Sequence, residues 1–167
     1  LHLGTVFVTI PRMAGWGERW RKWWRGTSSA VVSTGVVWNL RIDRDRSAIG
    51  RLNDRLEQQL SPSVPQAALR AVQVSLDELL TNVLMHAQNA SGPVDFKLSR
   101  SQGALDVTMS YFADPFDPTG WKGQVKAKTI EDAQIGGHGI PLVRKLMDEF
   151  RYEYRDGANV VHLRKNC

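Results

Sequence analysis

The sequence predicts an α+β domain in which helices cover a mixed or antiparallel sheet. Three observations carry this. Helix-spaced text and strand-like text do not alternate strictly, as a parallel βαβ fold requires. Two strand-like segments in the middle, "VDFKLSR" and "ALDVTMSY", are separated only by Ser101 to Gly103, a length that suits a hairpin. A second such pair, "FRYEYRD" and "NVVHLRK", closes the chain around Gly157.

Residues 1–35 read as a basic, Trp-rich leader. "LHLGTVFVTI" is apolar but has no basic segment ahead of it, so it makes a poor signal peptide. In "GWGERWRKWWRG", Trp16, Trp20, Trp23 and Trp24 fall at i, i+4, i+7 and i+8 with basic residues between them. That is the pattern of an amphipathic basic helix, which can lie on a membrane or a partner. Glycines bracket it and a Ser/Thr/Gly-rich stretch follows from Gly26 to Gly35, so the expectation is a flexible leader, with membrane contact disfavoured.

From Val36 onward the text is regular and predicts one domain over residues 36–167. "VVWNLRI" alternates as a strand does, and "SAIGRLNDRLEQQL" has helical spacing at Ile49, Leu52, Leu56 and Leu60. Ser61 to Pro65 breaks that helix. A long helix runs from about Gln66 to about Gln88, and "NASGP" reads as a loop before the middle hairpin. After Tyr111 comes a loop of about 25 residues ending in a glycine cluster; loops that long in small domains are usually lids or binding loops. A closing helix has apolar spacing at Ile140, Val143, Leu146, Met147 and Phe150.

The net charge of +5 excludes less than it suggests. Arg12, Arg19, Arg21, Lys22 and Arg25 against Glu18 give the leader +4, leaving +1 for the rest. A nearly neutral domain argues against direct nucleic-acid binding. The single cysteine, Cys167, forms no internal disulfide, and no Cys/His metal spacing occurs. No apolar run approaches the roughly 20 residues that span a bilayer. A cytoplasmic, soluble protein is expected.

The long helix carries candidate chemistry. Its apolar stripe runs through Val72, Leu76, Leu79, Val83 and Ala87, and Glu78, Asn82 and His86 form an i, i+4, i+8 row beside it. A row at the stripe's edge can face a cleft. Mg²⁺ prefers oxygen ligands and keeps several waters, so the Asn82 amide oxygen with phosphates can complete its shell. A carboxylate one turn away can act as a base on a hydroxyl. On spacing alone an ordinary solvated face is favoured over a site, and His86 reads as a helix-end side chain.

The segment "IGGHGIPLVRKLMDEF" puts Gly136, Gly137 and Gly139 at the start of the closing helix. Glycine is costly inside a helix, so a cluster before one signals a sharp bend or a close approach. The first helical turn leaves backbone N–H groups unpaired and carries partial positive charge, which suits phosphate. Pro141 is tolerated in that first turn.

Taken together, the order "ELLTN" helix, two strands, "PFDP" loop and "GGHGI" helix resembles the anti-sigma-factor serine kinase branch of the GHKL ATPases, over about residues 36–165. "DELLTNVLMHA" is similar to the family's N box, which implies Glu78 as general base and Asn82 as magnesium ligand. "PFDP", Pro115 to Pro118, is similar to the tail of the first glycine box, and "GGHGIPLVRKLMDEF" to the second. The resemblance implies a Bergerat sandwich with a mainly antiparallel sheet covered on one face, ATP and Mg²⁺ as cofactors, and a mobile lid over about residues 114–136. It implies Gly137 and Gly139 as phosphate contacts, and Gly136, His138, Asp114 and Phe116 beside them at the nucleotide. It further implies a sigma factor or similar regulator and a STAS-type antagonist as partners, and admits a homodimer.

One departure stands against the match. The family reads Asp-x-Gly before the "PFDP" tail, with the aspartate receiving the adenine amino group. Tyr111 and Ala113 hold those two positions here, and Asp114 is offset by three residues. Two readings follow: a regulatory kinase that phosphorylates a serine of a STAS-type protein, and a non-catalytic binding module of the same fold with a degraded adenine pocket.

Overall fold

The computed structural model describes residues 37–45, 47–61, 63–101, 103–120 and 139–167. The leader, most of the expected lid, and Gly136, Gly137 and His138 lie outside the described residues.

Strand β1 is Val37–Ile42, followed by helices α1, Ala48–Leu60, and α2, Gln66–His86. Strands β2, Ser91–Ser101, and β3, Ala104–Phe112, form the middle hairpin; a 3₁₀ turn, Pro118–Gly120, follows. Helix α3, Gly139–Leu146, leads into β4, Glu149–Arg155, and β5, Ala158–Asn166. The five strands make one sheet in the order β1-β2-β3-β5-β4. Every pairing in it is antiparallel, so the sheet is not mixed. Each of the hairpins β2–β3 and β4–β5 returns directly, while β5 is the strand that inserts beside β3.

Period-2 alternation decides which side of the sheet meets the helices. Leu40 and Ile42, Val94, Phe96 and Leu98, Leu105, Val107 and Met109, and Val161 and Leu163 all enter one core. Helix α1 meets them with Ala48, Leu52, Leu56 and Leu60, and α2 with Leu69, Val72, Leu76, Leu79, Leu80 and Val83. Each fully buried Leu or Val is worth about 1.5–3 kcal/mol relative to exposure, so this stripe holds α2 across the sheet. The other side carries Arg41, whose Nε and Nη2 donate to Asp95 at 2.7 and 3.1 Å, and Arg164, paired with Asp106 and Glu149.

Two expected boundaries moved. Strand β2 begins at Ser91, inside the text expected as loop, because Gly92 takes a positive φ of 68° and the register shifts between Ser91 and Asp95. A bulge there accommodates the glycine and keeps Ser91 paired with Phe112. Helix α3 ends at Leu146, so Phe150 belongs to β4 and not to the helix. The Met147 N–H still bonds Val143 O, but the next amide, Asp148, donates to Arg164 O in the sheet.

Candidate functional site

Helix α2 presents Glu78 and Asn82 one turn apart at the edge of its buried stripe, both half-buried. Neither side chain has a hydrogen-bond partner among the described residues. A carboxylate and an amide left open beside a core are groups available to a ligand.

Helix α3 packs against this face of α2, and the junction is Gly139 against Glu78. A Cβ at position 139 would stand 2.9 Å from Glu78 Cδ and 3.2 Å from Glu78 Cβ, and closer still to Oε2. Real side chains do not tolerate the closer separation, so with any other residue at 139 the Glu78 carboxylate would have to swing away from its present position. The structure thus brings together a carboxylate of the long helix and the last glycine of the cluster, 61 positions along the chain. Gly136, Gly137 and His138 precede this contact directly in sequence but fall outside the described residues.

Asn82 also lines a small cavity between α2 and the sheet, with Leu79, Met109, Tyr111, Phe116 and Pro118. Its volume is about 10 Å³, room for roughly one water molecule. Tyr111 is buried there, and its hydroxyl has no partner among the described residues. Burial, with Tyr152 nearby, pushes its pKa up to about 12, so the group is a neutral hydroxyl at physiological pH.

The "PFDP" loop forms the cavity's outer wall. Phe116 is partly exposed, and Asp114 is exposed. The Asp114 carboxylate accepts from Asn89 Nδ2 at 2.9 Å, and its amide donates to Gln88 O at 3.0 Å. Asp114 is therefore tied to the residues that follow α2 and is not among the side chains that line the cavity.

Two features of the site escaped the sequence reading. Asn159 of β5, buried, bonds the loop from beneath. Asp77, next to Glu78, accepts from Asn53 Nδ2 at 2.9 and 3.0 Å. Its pKa is raised, first by burial and then by the Glu78 charge, against the Asn53 hydrogen bond.

The Asn82 amide oxygen is a ligand of the kind that suits a hydrated Mg²⁺. Among the described residues no three acidic, His or Cys side chains converge; a cation at Asn82 would take its other oxygens from phosphate and water. The base side fits less well: with the Tyr111 ring in place the cavity does not admit a purine.

Comparison with known proteins bears on this arrangement. Residues 46–165 match the histidine kinase-like ATPase domain. Over 86 residues the chain is 36% identical to the serine/threonine-protein kinase BtrW of Bordetella bronchiseptica, covering 50% of this chain and 60% of that protein. The chain therefore spans somewhat more than half the length of that relative. A solved structure of the RsbU and RsbW domains of Rv1364c from Mycobacterium tuberculosis superposes with a TM-score of 0.56 at 11% identity, over 78% of this chain and 32% of that one. That likeness is one of fold.

Proposed function

The chain belongs to the histidine kinase-like ATPase domain family, and from that premise we propose that it is an anti-sigma-factor-like regulator that binds ATP·Mg²⁺ and phosphorylates a serine of a STAS-type antagonist protein. The observation that carries the reading is the contact of Glu78 with Gly139, with the open Asn82 amide one turn away. When bound, ATP·Mg²⁺ supplies the phosphoryl group. Asn82 Oδ1 would hold the cation, the backbone N–H groups at the start of α3 would bind phosphate, and Glu78 would take the proton of the acceptor serine hydroxyl. The similarity to BtrW, itself named a serine/threonine-protein kinase, supports the reaction class. A sigma factor or similar regulator is the second partner, the active species is compatible with a homodimer, and the compartment is the cytoplasm. The catalytic domain of this reading is residues 36–167.

A second reading has its own observation. Tyr111 stands where the family's base-reading aspartate is expected, and the space beside it holds about one water. A non-catalytic module that keeps the fold and partner surface accounts for that directly.

Phosphoryl transfer separates the two. Incubated with ATP·Mg²⁺ and a purified STAS-domain protein, the unaltered chain is expected to add one phosphate to a serine, read by mass spectrometry. Glu78→Gln is expected to abolish the transfer while ATP affinity stays within about threefold, since the substitution keeps shape and removes the base. Equal loss of binding in Glu78→Gln makes the carboxylate structural, and no transfer by the unaltered chain favours the module.

A further inference from the structure

We propose that Asn159 is a positioning residue that sets the wall of the nucleotide pocket; this rests on the ATP-binding reading of the same site. Asn159 lies in β5 directly across from Tyr111 of β3 on one side and Tyr154 of β4 on the other. It is 0% exposed. A buried asparagine must place two N–H donors and its oxygen, or lose free energy for each left unpaired.

All of that capacity is used, and most of it goes to one loop. Nδ2 donates to Asp114 O at 3.0 Å and to Ala113 O at 3.3 Å. Oδ1 accepts from the Phe116 N–H at 2.9 Å and from the Tyr152 hydroxyl at 2.8 Å. Three of these four bonds therefore end on the backbone of Ala113 to Phe116, an irregular segment without a strand partner. Asn159 does for that segment what a neighbouring strand does for a strand: it accepts one amide and donates to two carbonyls. Aspartate offers the carbonyls no donor when ionised, and an apolar residue offers nothing.

The loop so held carries Phe116 and leads to Pro118, and both face Asn82 and Tyr111 across the cavity. Its outer edge is fastened separately by Asn89 and Gln88. Asn159 is thus the inner fastening, and it determines how far Phe116 stands from Tyr111. That distance is the width available to a base.

The test compares Asn159→Ala with Leu105→Ala, a core substitution at the far end of β3 from Tyr111. In calorimetric titration with ATP·Mg²⁺, Asn159→Ala is expected to raise Kd about tenfold or more, as displaced positioning groups do. Leu105→Ala is expected to lower the melting temperature and leave Kd within about threefold. In amide exchange of the unaltered protein without nucleotide, the Phe116 N–H is expected to be strongly protected relative to a free loop amide. That measurement needs no variant and stands if Asn159→Ala does not fold. An unchanged Kd in Asn159→Ala, an equal loss in Leu105→Ala, or an unprotected Phe116 amide overturns the proposal. Absence of ATP binding by the unaltered protein is a separate outcome: it overturns the nucleotide reading, and this inference with it.

Discussion

Asp77 shows how a single side chain beside the site can be suboptimal for stability. Asn53 donates one amide group to both Asp77 oxygens, and Asn53 Oδ1 is left buried without a partner. In Asp77→Asn the new amide can donate to that oxygen, and a charge adjacent to Glu78 disappears. A newly satisfied buried acceptor is worth about 1 kcal/mol, so a higher melting temperature is expected at pH 7. The sign with pH follows from the raised pKa of Asp77. A folded-state carboxyl that holds its proton above the unfolded value gains stability as pH falls through the folded pKa. The advantage of Asp77→Asn should therefore shrink on acidification from neutral pH into the carboxylate range; thermal melts across that range check it, and a constant or growing gap contradicts it. The Asn53–Asp77 pair is 24 positions apart and Asn159 bonds residues 43 to 46 positions away. No local pattern encodes such pairings: Asn159 reads as the first residue of the strand "NVVHLRK", and nothing in that text points to the loop it bonds. Glu78 and Asn82 were legible because their i, i+4 relation is itself the helix period.

At the scale of elements, the junction of α2 and α3 depends on one missing methyl group. Gly139→Ala must displace Glu78, since the new Cβ lies within 3.2 Å of Glu78 Cβ. Overpacking of this kind costs about 1–3 kcal/mol, against a gain of up to about 1 kcal/mol from helix propensity. A lower melting temperature is expected, with phosphoryl transfer falling more than ATP affinity; retention of both stability and transfer would show that the helices separate freely. The glycine cluster signalled a close approach, and the structure gives Gly139 a carboxylate neighbour as its cause. The closing hairpin was legible from its turn at Gly157: Asp156 and Gly157 take φ of 53° and 81°, the paired left-handed conformation of a tight β-turn. The end of α3 was not. Leu146, Met147 and Phe150 continue a helical spacing, and a short apolar run cannot by itself tell helix from strand. The sheet settles it, through Asp148 N–H to Arg164 O at 2.9 Å and Asn166 N–H to Asp148 Oδ2 at 2.7 Å.

At the scale of the molecule, one sheet face buries against two long helices, α3 packs on α2 at Glu78, and Asn82 and Tyr111 line the small cavity nearby. The antiparallel topology was foreseeable from two hairpins and a non-alternating order of elements; the position of β5 between β3 and β4 was not, because sequence neighbours say nothing about insertion. The pocket's base side is where fold and family part. Replacing Tyr111 and Ala113 together, Tyr111→Asp with Ala113→Gly, removes a ring that lines the cavity and supplies an acceptor for an amino group. An unsatisfied buried polar group costs about 1–3 kcal/mol, so this double variant is expected to bind ATP about 5- to 150-fold more tightly, with little gain for GTP. Equal gains for both nucleotides would mean that only space had been created. The central claim, that this domain takes ATP through a magnesium and phosphate site built by Asn82 and the start of α3, is tested most directly by calorimetric titration of the unaltered protein with ATP, with and without Mg²⁺. The account predicts weak binding that requires Mg²⁺ and discriminates little against GTP. No heat of binding at millimolar ATP with Mg²⁺ present contradicts it.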